Sequence, residues 1–221
     1  MKRITFGLRL AALGVLVALG FLFWLAQDKP EPVYEDRKLS EWVLLMDSRV
    51  SHGKPPGADA EAAIHAIGTN GFELYFAWIE FKPTILQSLF GGSSSSGTDR
   101  LEKPAHGASM AFGILGSEAQ DAIPRLVRDS STMYPPCMCY RAIHCLEEIR
   151  EPAVSAFLTL MTNSDVNVRK LGTFSARVVG DNGLVQKQLH VLRNDSNAEV
   201  REAATNSLYD RHPYPREWEA R

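Results

Sequence analysis

Along most of this chain apolar residues recur every three or four positions, the period of a helix that turns one face to a core. Four runs place small residues at that spacing beside Ile, Leu or Val. Ala63, Ala66 and Ile67 stand before Gly68, and Ala108, Ala111, Phe112 and Leu115 before Gly116. Ala142, Cys145, Leu146 and Ile149 follow the same pattern, as do Gly172, Ser175, Ala176 and Val179 before Gly180. A shorter fifth run holds Ala203, Ala204, Ser207 and Leu208. After each of the first four comes a second apolar stretch: Phe72 to Leu89, Ala119 to Val127, Ala153 to Met161, and Leu184 to Leu192. Small residues admit close helix approach, and glycine suits a helix C-terminus. The pattern therefore predicts paired helices.

The pairs repeat. Leu115 and Ile149 are 34 residues apart, and Val168-Arg169 and Val200-Arg201 are 32 apart. A period of that size marks stacked helical hairpins, each unable to bury its apolar face alone. No stretch alternates apolar and polar residues between turn signals, so no sheet is expected. Leu39, Trp42, Val43 and Met46 form one more stripe, ended by the break at Ser51 to Gly57 with its Pro55 and Pro56. Gly91 to Asp99 opens Gly-Gly-Ser-Ser-Ser-Ser-Gly, a composition with nothing to bury, and reads as a flexible loop.

Several segments carry a family resemblance. Asn163-Ser-Asp-Val-Asn-Val-Arg169 and Asp195-Ser-Asn-Ala-Glu-Val-Arg201 resemble the Asp-x-x-x-x-Val-Arg start of a HEAT-repeat helix. Gly116-Ser-Glu-Ala-x-x-Ala-Ile-Pro-x-Leu is similar to the link into the second helix of that repeat. Leu39-Ser-Glu-Trp42 and Ala66-Ile-Gly-Thr-Asn70 also resemble bacterial envelope proteins that place HEAT repeats behind one hydrophobic N-terminal segment. The resemblance covers about Asp59 to Asp210 and implies an all-α fold, a short α-solenoid of HEAT-type hairpins. It implies a role in holding other molecules. The third repeat departs from the pattern, with Glu147-Glu148-Ile149-Arg150 where a glycine would fall.

The N-terminus adds a different element. Lys2, Arg3 and Arg9 precede Leu10 to Ala26, 17 residues without a charge. At about 1.5 Å per residue that run spans roughly 25 Å, and Ile4 to Leu8 extends it to a full bilayer. Cleavage as a signal peptide after Ala26 would put Trp24 at the −3 position, a poor site. The expectation is one N-terminal transmembrane helix with residues 4–26 in the membrane. The basic flank places the rest outside the cytoplasm, facing the periplasm or cell exterior. The domain reading is an anchor or uncleaved signal at 1–27, a linker at 28–38, the solenoid at 39–212 and a C-terminal tail at 213–221.

Composition trims the functional classes. A net charge of −2 over 221 residues gives no basic face for nucleic acid. Three cysteines cannot make a disulfide framework. The sharpest chemical cluster is Cys137-Met-Cys139-Tyr-Arg-Ala-Ile-His144-Cys145. Thiols with an imidazole could hold zinc or copper, but on one helix only Cys137 and His144 share a face, and Cys145 fills a core slot. Arg169 and Arg201 read either as an anion site or as a ladder of pairs with acids of adjacent repeats. The aromatic run Phe72, Tyr75, Phe76, Trp78, Ile79 and Phe81 reads as a thick core or as an exposed patch. No catalytic residue, metal ligand or cofactor site is assigned. The expected function is a membrane-tethered protein–protein interaction scaffold that binds a protein or peptide along the second helices. The alternatives are a subunit of a HEAT-like lyase or nucleic-acid-handling enzyme, or a thiol or metal sensor at Cys137 to Cys145. Charged residues of the second helices converging at one place would favour an enzyme.

Overall fold

The computed structural model describes residues 31–50, 57–81, 96–132 and 136–209; those from Pro32 onward belong to one compact unit. It is helical almost throughout. The first helices of the expected pairs are α2 (Ala58–Ile67), α4 (Ser96–Leu115), α6 (Pro136–Ile149), α8 (Val166–Ser175) and α10 (Ala198–Tyr209). The second helices are α3 (Phe72–Ile79), α5 (Ile123–Ser130), α7 (Val154–Met161) and α9 (Gly183–Leu192). Helix α1 (Leu39–Val50) precedes them and packs on α2 and α4.

Each first helix passes into its partner through a short 3₁₀ turn: Gly68–Gly71, Gly116–Ala122, Glu151–Ala153 and Ala176–Val179. The tight turn reverses the chain without leaving helical backbone, so the two apolar faces meet. First helices pack on first helices, α4 on α6 and α8 on α10. Second helices pack on second helices, α5 on α7 and α7 on α9. Each second helix also touches the next first helix, as α5 does α6 and α7 does α8.

The core lies between these helices. Ala108, Ala111, Phe112 and Leu115 are buried, as are Ala142, Cys145, Leu146 and Ile149. Gly172 lets α8 lie on α7, because a Cβ there would stand 2.5 Å from the Leu160 Cβ. Asp165 caps α8, accepting from the backbone N–H groups of Asn167 at 2.8 Å and Val168 at 3.4 Å. Such a cap satisfies donors that the first turn leaves open. The aromatic run is core: Tyr75, Phe76 and Ile79 are buried, and three of its rings surround Phe112 at 5.4–5.7 Å.

The structure differs from the sequence reading at four places. A two-stranded hairpin occupies the expected linker, with β1 (Val33–Tyr34) antiparallel to β2 (Arg37–Lys38). Its two turn residues, Glu35 (φ 46°) and Asp36 (φ 60°), are both left-handed, as a two-residue hairpin turn requires. Two-residue strands leave no alternation to read, and Glu-Asp is not the usual Asn-Gly signal. The hairpin is tied to α1 by the Trp42 Nε1–H donating to the Tyr34 carbonyl at 3.1 Å.

The expected flexible loop is shortened from its far side, because α4 starts at Ser96; positions 91–95 lie outside the described residues. Ala66 is exposed, and Ile64 takes the core position beside Ala63 and Ile67.

The membrane expectation is corrected as well. Among the described residues no helix is long and apolar enough to cross a membrane. The longest, α4, has 20 residues, but Asp99, Arg100, Glu102 and Lys103 sit in its first half, a charge density that a hydrocarbon core does not accept. Residues 4–26, to which the span was assigned, lie outside the described residues. Neither the single-pass anchor nor the periplasmic or exterior orientation is carried further.

Candidate functional site

Helix α6 carries the cysteine and histidine cluster and scatters it. Cys139 is buried, and its thiol donates to the Ser130 carbonyl at 3.1 Å. Burial pushes that thiol up to about 11. Cys145 is buried on the core side, where burial first and the Glu148 charge second hold its thiol well above the ordinary value. Burial disfavours the thiolate form at both positions. The side chain of Cys137 lies outside those described. His144 turns another way and stacks on His106 at 5.8 Å between centroids. Its Nδ1 stands 3.5 Å from Glu147 Oε2. The Glu147 carboxylate, placed to accept from the imidazole, raises its pKa against the pull of burial. Among the described residues no three His, Cys, Asp or Glu side chains gather as metal ligands.

Arg169 and Arg201 divide into different tasks. Arg169 meets Asp195 of the next hairpin through Nε to Oδ2 at 2.8 Å and Nη2 to Oδ1 at 3.2 Å. A guanidinium and a carboxylate so matched make a bidentate pair. The Arg169 hydrogen bond is the main reason the Asp195 carboxyl lies below the usual aspartate range. Arg201 instead donates to the carbonyls of Asp195 at 2.7 Å and Ser196 at 3.0 Å, closing its own turn. Arg169 closes its own turn in the same way, through the Asn163 and Ser164 carbonyls, and it alone of the two also joins adjacent hairpins.

Charged side chains of the second helices do converge, at α3 and α5. Arg125 Nε donates to Glu80 Oε1 at 2.8 Å, and its Nη1 lies 3.5 Å from Glu73. Its guanidinium also covers the Phe76 ring at 4.0 Å from the centroid. Arg128 Nη2 stands 3.7 Å from Glu80 and 3.1 Å from Asp129. Sequence gave no direct signal for this network, because its members lie 45 and 52 positions apart. Asp129 is 4% exposed. The Glu73 and Arg128 side chains are 72% and 66% exposed, and the network ties α5 to the end of α3.

The other second helices present a different surface. On α7, Ser155 and Thr159 are exposed, and the Thr159 hydroxyl folds back onto the Ser155 carbonyl at 2.9 Å. On α9, Leu184 (62%) and Val191 (58%) are exposed seven positions apart on one face, with Lys187 between them. Aliphatic side chains that could have turned to a core stand in solvent here.

A separate cleft of about 260 Å³ lies where α6 ends, lined by His144, Glu147, Glu148, Arg150, Arg177 and Val178. The Arg177 guanidinium stacks on Phe174 at 3.9 Å. Arg150 (φ 63°) occupies the turn position that Gly68 (φ 54°) and Gly116 (φ 50°) take in the first two hairpins. The cleft balances two carboxylates against two guanidiniums and so favours neither anion nor cation.

No family model matches the chain, and no curated protein matches it either.

Proposed function

We propose that this chain is a non-catalytic protein–protein interaction module, a short α-solenoid of HEAT type whose second helices form the binding face. Supporting the solenoid reading is the order of packing, first helix on first and second on second, with Arg169 and Asp195 joining adjacent hairpins. Such stacks present long, nearly flat faces, which suit a polypeptide partner better than a small substrate.

One observation carries the choice of face: Leu184 and Val191 stand exposed on α9 beside the Ser155 and Thr159 rim of α7. Exposed aliphatic side chains set among polar ones, here Lys187 between them and the α7 hydroxyls beside them, are the usual anatomy of an interface. A partner of protein or peptide character would bury both side chains. A net charge of −2 gives nucleic acid nothing to hold.

The test places a photo-crosslinking residue at Leu184, at Val191 and, as control, at the exposed Glu202 of α10 in the full chain within its host cell. The proposal expects discrete adducts from positions 184 and 191 and none from 202. Equal labelling from all three positions, or none from α9, would reject this face.

A further inference from the structure

Helix α9 turns Val185, Leu189 and Leu192 to the core and leaves Leu184, Lys187, His190 and Val191 on its outer side. Leu184, Lys187 and Val191 recur at the i, i+3, i+7 spacing of one helical face. At about 1.5 Å per residue the two aliphatic side chains stand about 10 Å apart along the helix. Arg193 follows at the end of the helix and is exposed as well.

The charges here are of one sign. From Gly183 to Leu192 α9 carries no acid, and α7, which packs on it, carries no ionisable side chain. Among the described residues no ion pair joins Lys187, His190 or Arg193 to an acid. Cations elsewhere in the stack are engaged: Arg125 with Glu80, Arg128 with Asp129, Arg169 with Asp195 and Lys170 with Glu199. Those pairs also occupy Asp195 and Glu199, acids that follow α9 in the chain. Asp181, ahead of the α9 cap, and Glu202, on α10, stand in solvent. So α3 and α5 close their charges on one another, whereas α9 leaves its cations open beside two exposed aliphatic side chains. A segment that carries both acids and apolar side chains would complete that arrangement.

We infer that the α9 face takes an acidic polypeptide segment. Its apolar side chains would cover Leu184 and Val191, and its Asp or Glu carboxylates would meet Lys187, with His190 and Arg193 at the margin. The inference rests on α9 being part of the binding face and adds the chemistry of the partner. The chain's net charge of −2 hides this local excess of cations. Charges at such a margin speed encounter and reject a basic competitor more than they deepen affinity. A lipid surface would ask for a wider apolar face than two aliphatic side chains provide.

The experiment selects short random peptides displayed on phage against the full chain, then titrates the enriched peptides by fluorescence anisotropy. The expected sequences set Asp or Glu beside apolar residues, and their binding weakens as salt is raised. Leu184→Ser and Val191→Ser, both at exposed positions, should abolish binding. Lys187→Glu should weaken it about tenfold and should favour the same peptides with Lys in place of their acids. Peptides that need Leu184 and Val191 but are indifferent to their own charge and to Lys187→Glu would overturn the inference and leave the binding face standing. No enriched peptide that depends on α9 would overturn both. Retention of the chain on phosphatidylserine vesicles through the same two side chains, with no acidic peptide enriched, would assign the face to lipid instead.

Discussion

Tyr75 is fully enclosed at the centre of the aromatic cluster, its ring edge-on to Phe112 at 5.4 Å, and its hydroxyl meets no partner. Burial alone pushes its pKa far up. The ring supplies packing while the oxygen loses hydration, and an unsatisfied hydroxyl costs about 1–3 kcal/mol. Tyr75→Phe keeps the ring and removes the orphan. It should raise the stability measured by urea unfolding by about 1 kcal/mol. A clear loss would mean that the hydroxyl is satisfied. Arg150 offers the complementary case. Its left-handed φ of 63° and ψ of −121° belong to a region that costs a residue with a Cβ about 1–3 kcal/mol. Arg150→Gly removes that strain but adds chain entropy of about 0.5–1 kcal/mol. The strain term is the larger, so the midpoint should move modestly upward, and a fall would show that the side chain contributes more than its backbone costs.

At the scale of elements, joints between hairpins matter more than individual helices. The Arg169–Asp195 pair has side chains only 13% and 10% exposed, and removing the acid leaves the guanidinium with only its Nη1 bonds to the Asn163 and Ser164 carbonyls. Asp195→Ala should cost about 2–4 kcal/mol, read from chemical denaturation. By contrast Lys170 and Glu199 pair at 2.6 Å in the open, with side chains 42% and 66% exposed. Glu199→Gln should leave the melting temperature where it is. The sign with pH follows from Asp195, whose pKa is lowered by Arg169. Its contribution is present above the usual aspartate value, about 3.9, and is lost as pH falls through the lowered folded value. Asp195→Asn should therefore flatten the acid side of the stability curve, and an unchanged acid limb would remove Asp195 from this role.

How far these elements were legible depended on what each residue declares. Phe112, Leu146 and Val179 are bulky and apolar, so their spacing located the buried stripes of α4, α6 and the turn after α8. Alanine declares little: Ala63 is buried and Ala66 exposed three positions later, and only Ile64 and Ile67 fix the phase of α2. The Asp195 and Arg169 ladder was readable as one of two options because the repeat places an acid ahead of each Val-Arg. The Glu80, Arg125 and Asp129 network was not. It joins helices 45 positions apart, through side chains that locally look like an ordinary solvated face.

For the whole molecule the reading is a one-dimensional stack, in which stability is a sum of hairpins and the interfaces between neighbours. Ala176 is fully enclosed between α7 and α10, whereas Arg193 is exposed after α9. Ala176→Arg overpacks and strips a charge of water, and it should unfold its hairpin. Arg193→Ala should stay within about half a kcal/mol of the parent. Similar effects from both would mean that the stack is misread.

Residue-resolved hydrogen exchange on Leu189→Ala tests the stack most directly. Leu189 is fully buried in α9, and its truncation costs about 2–5 kcal/mol. In a stack that loss stays local: amide protection should fall most in α9 and α10, less in α7 and α8, and hardly at all in α2, α4 and α5. Equal loss of protection in every helix would contradict the account and make the molecule a single cooperative core.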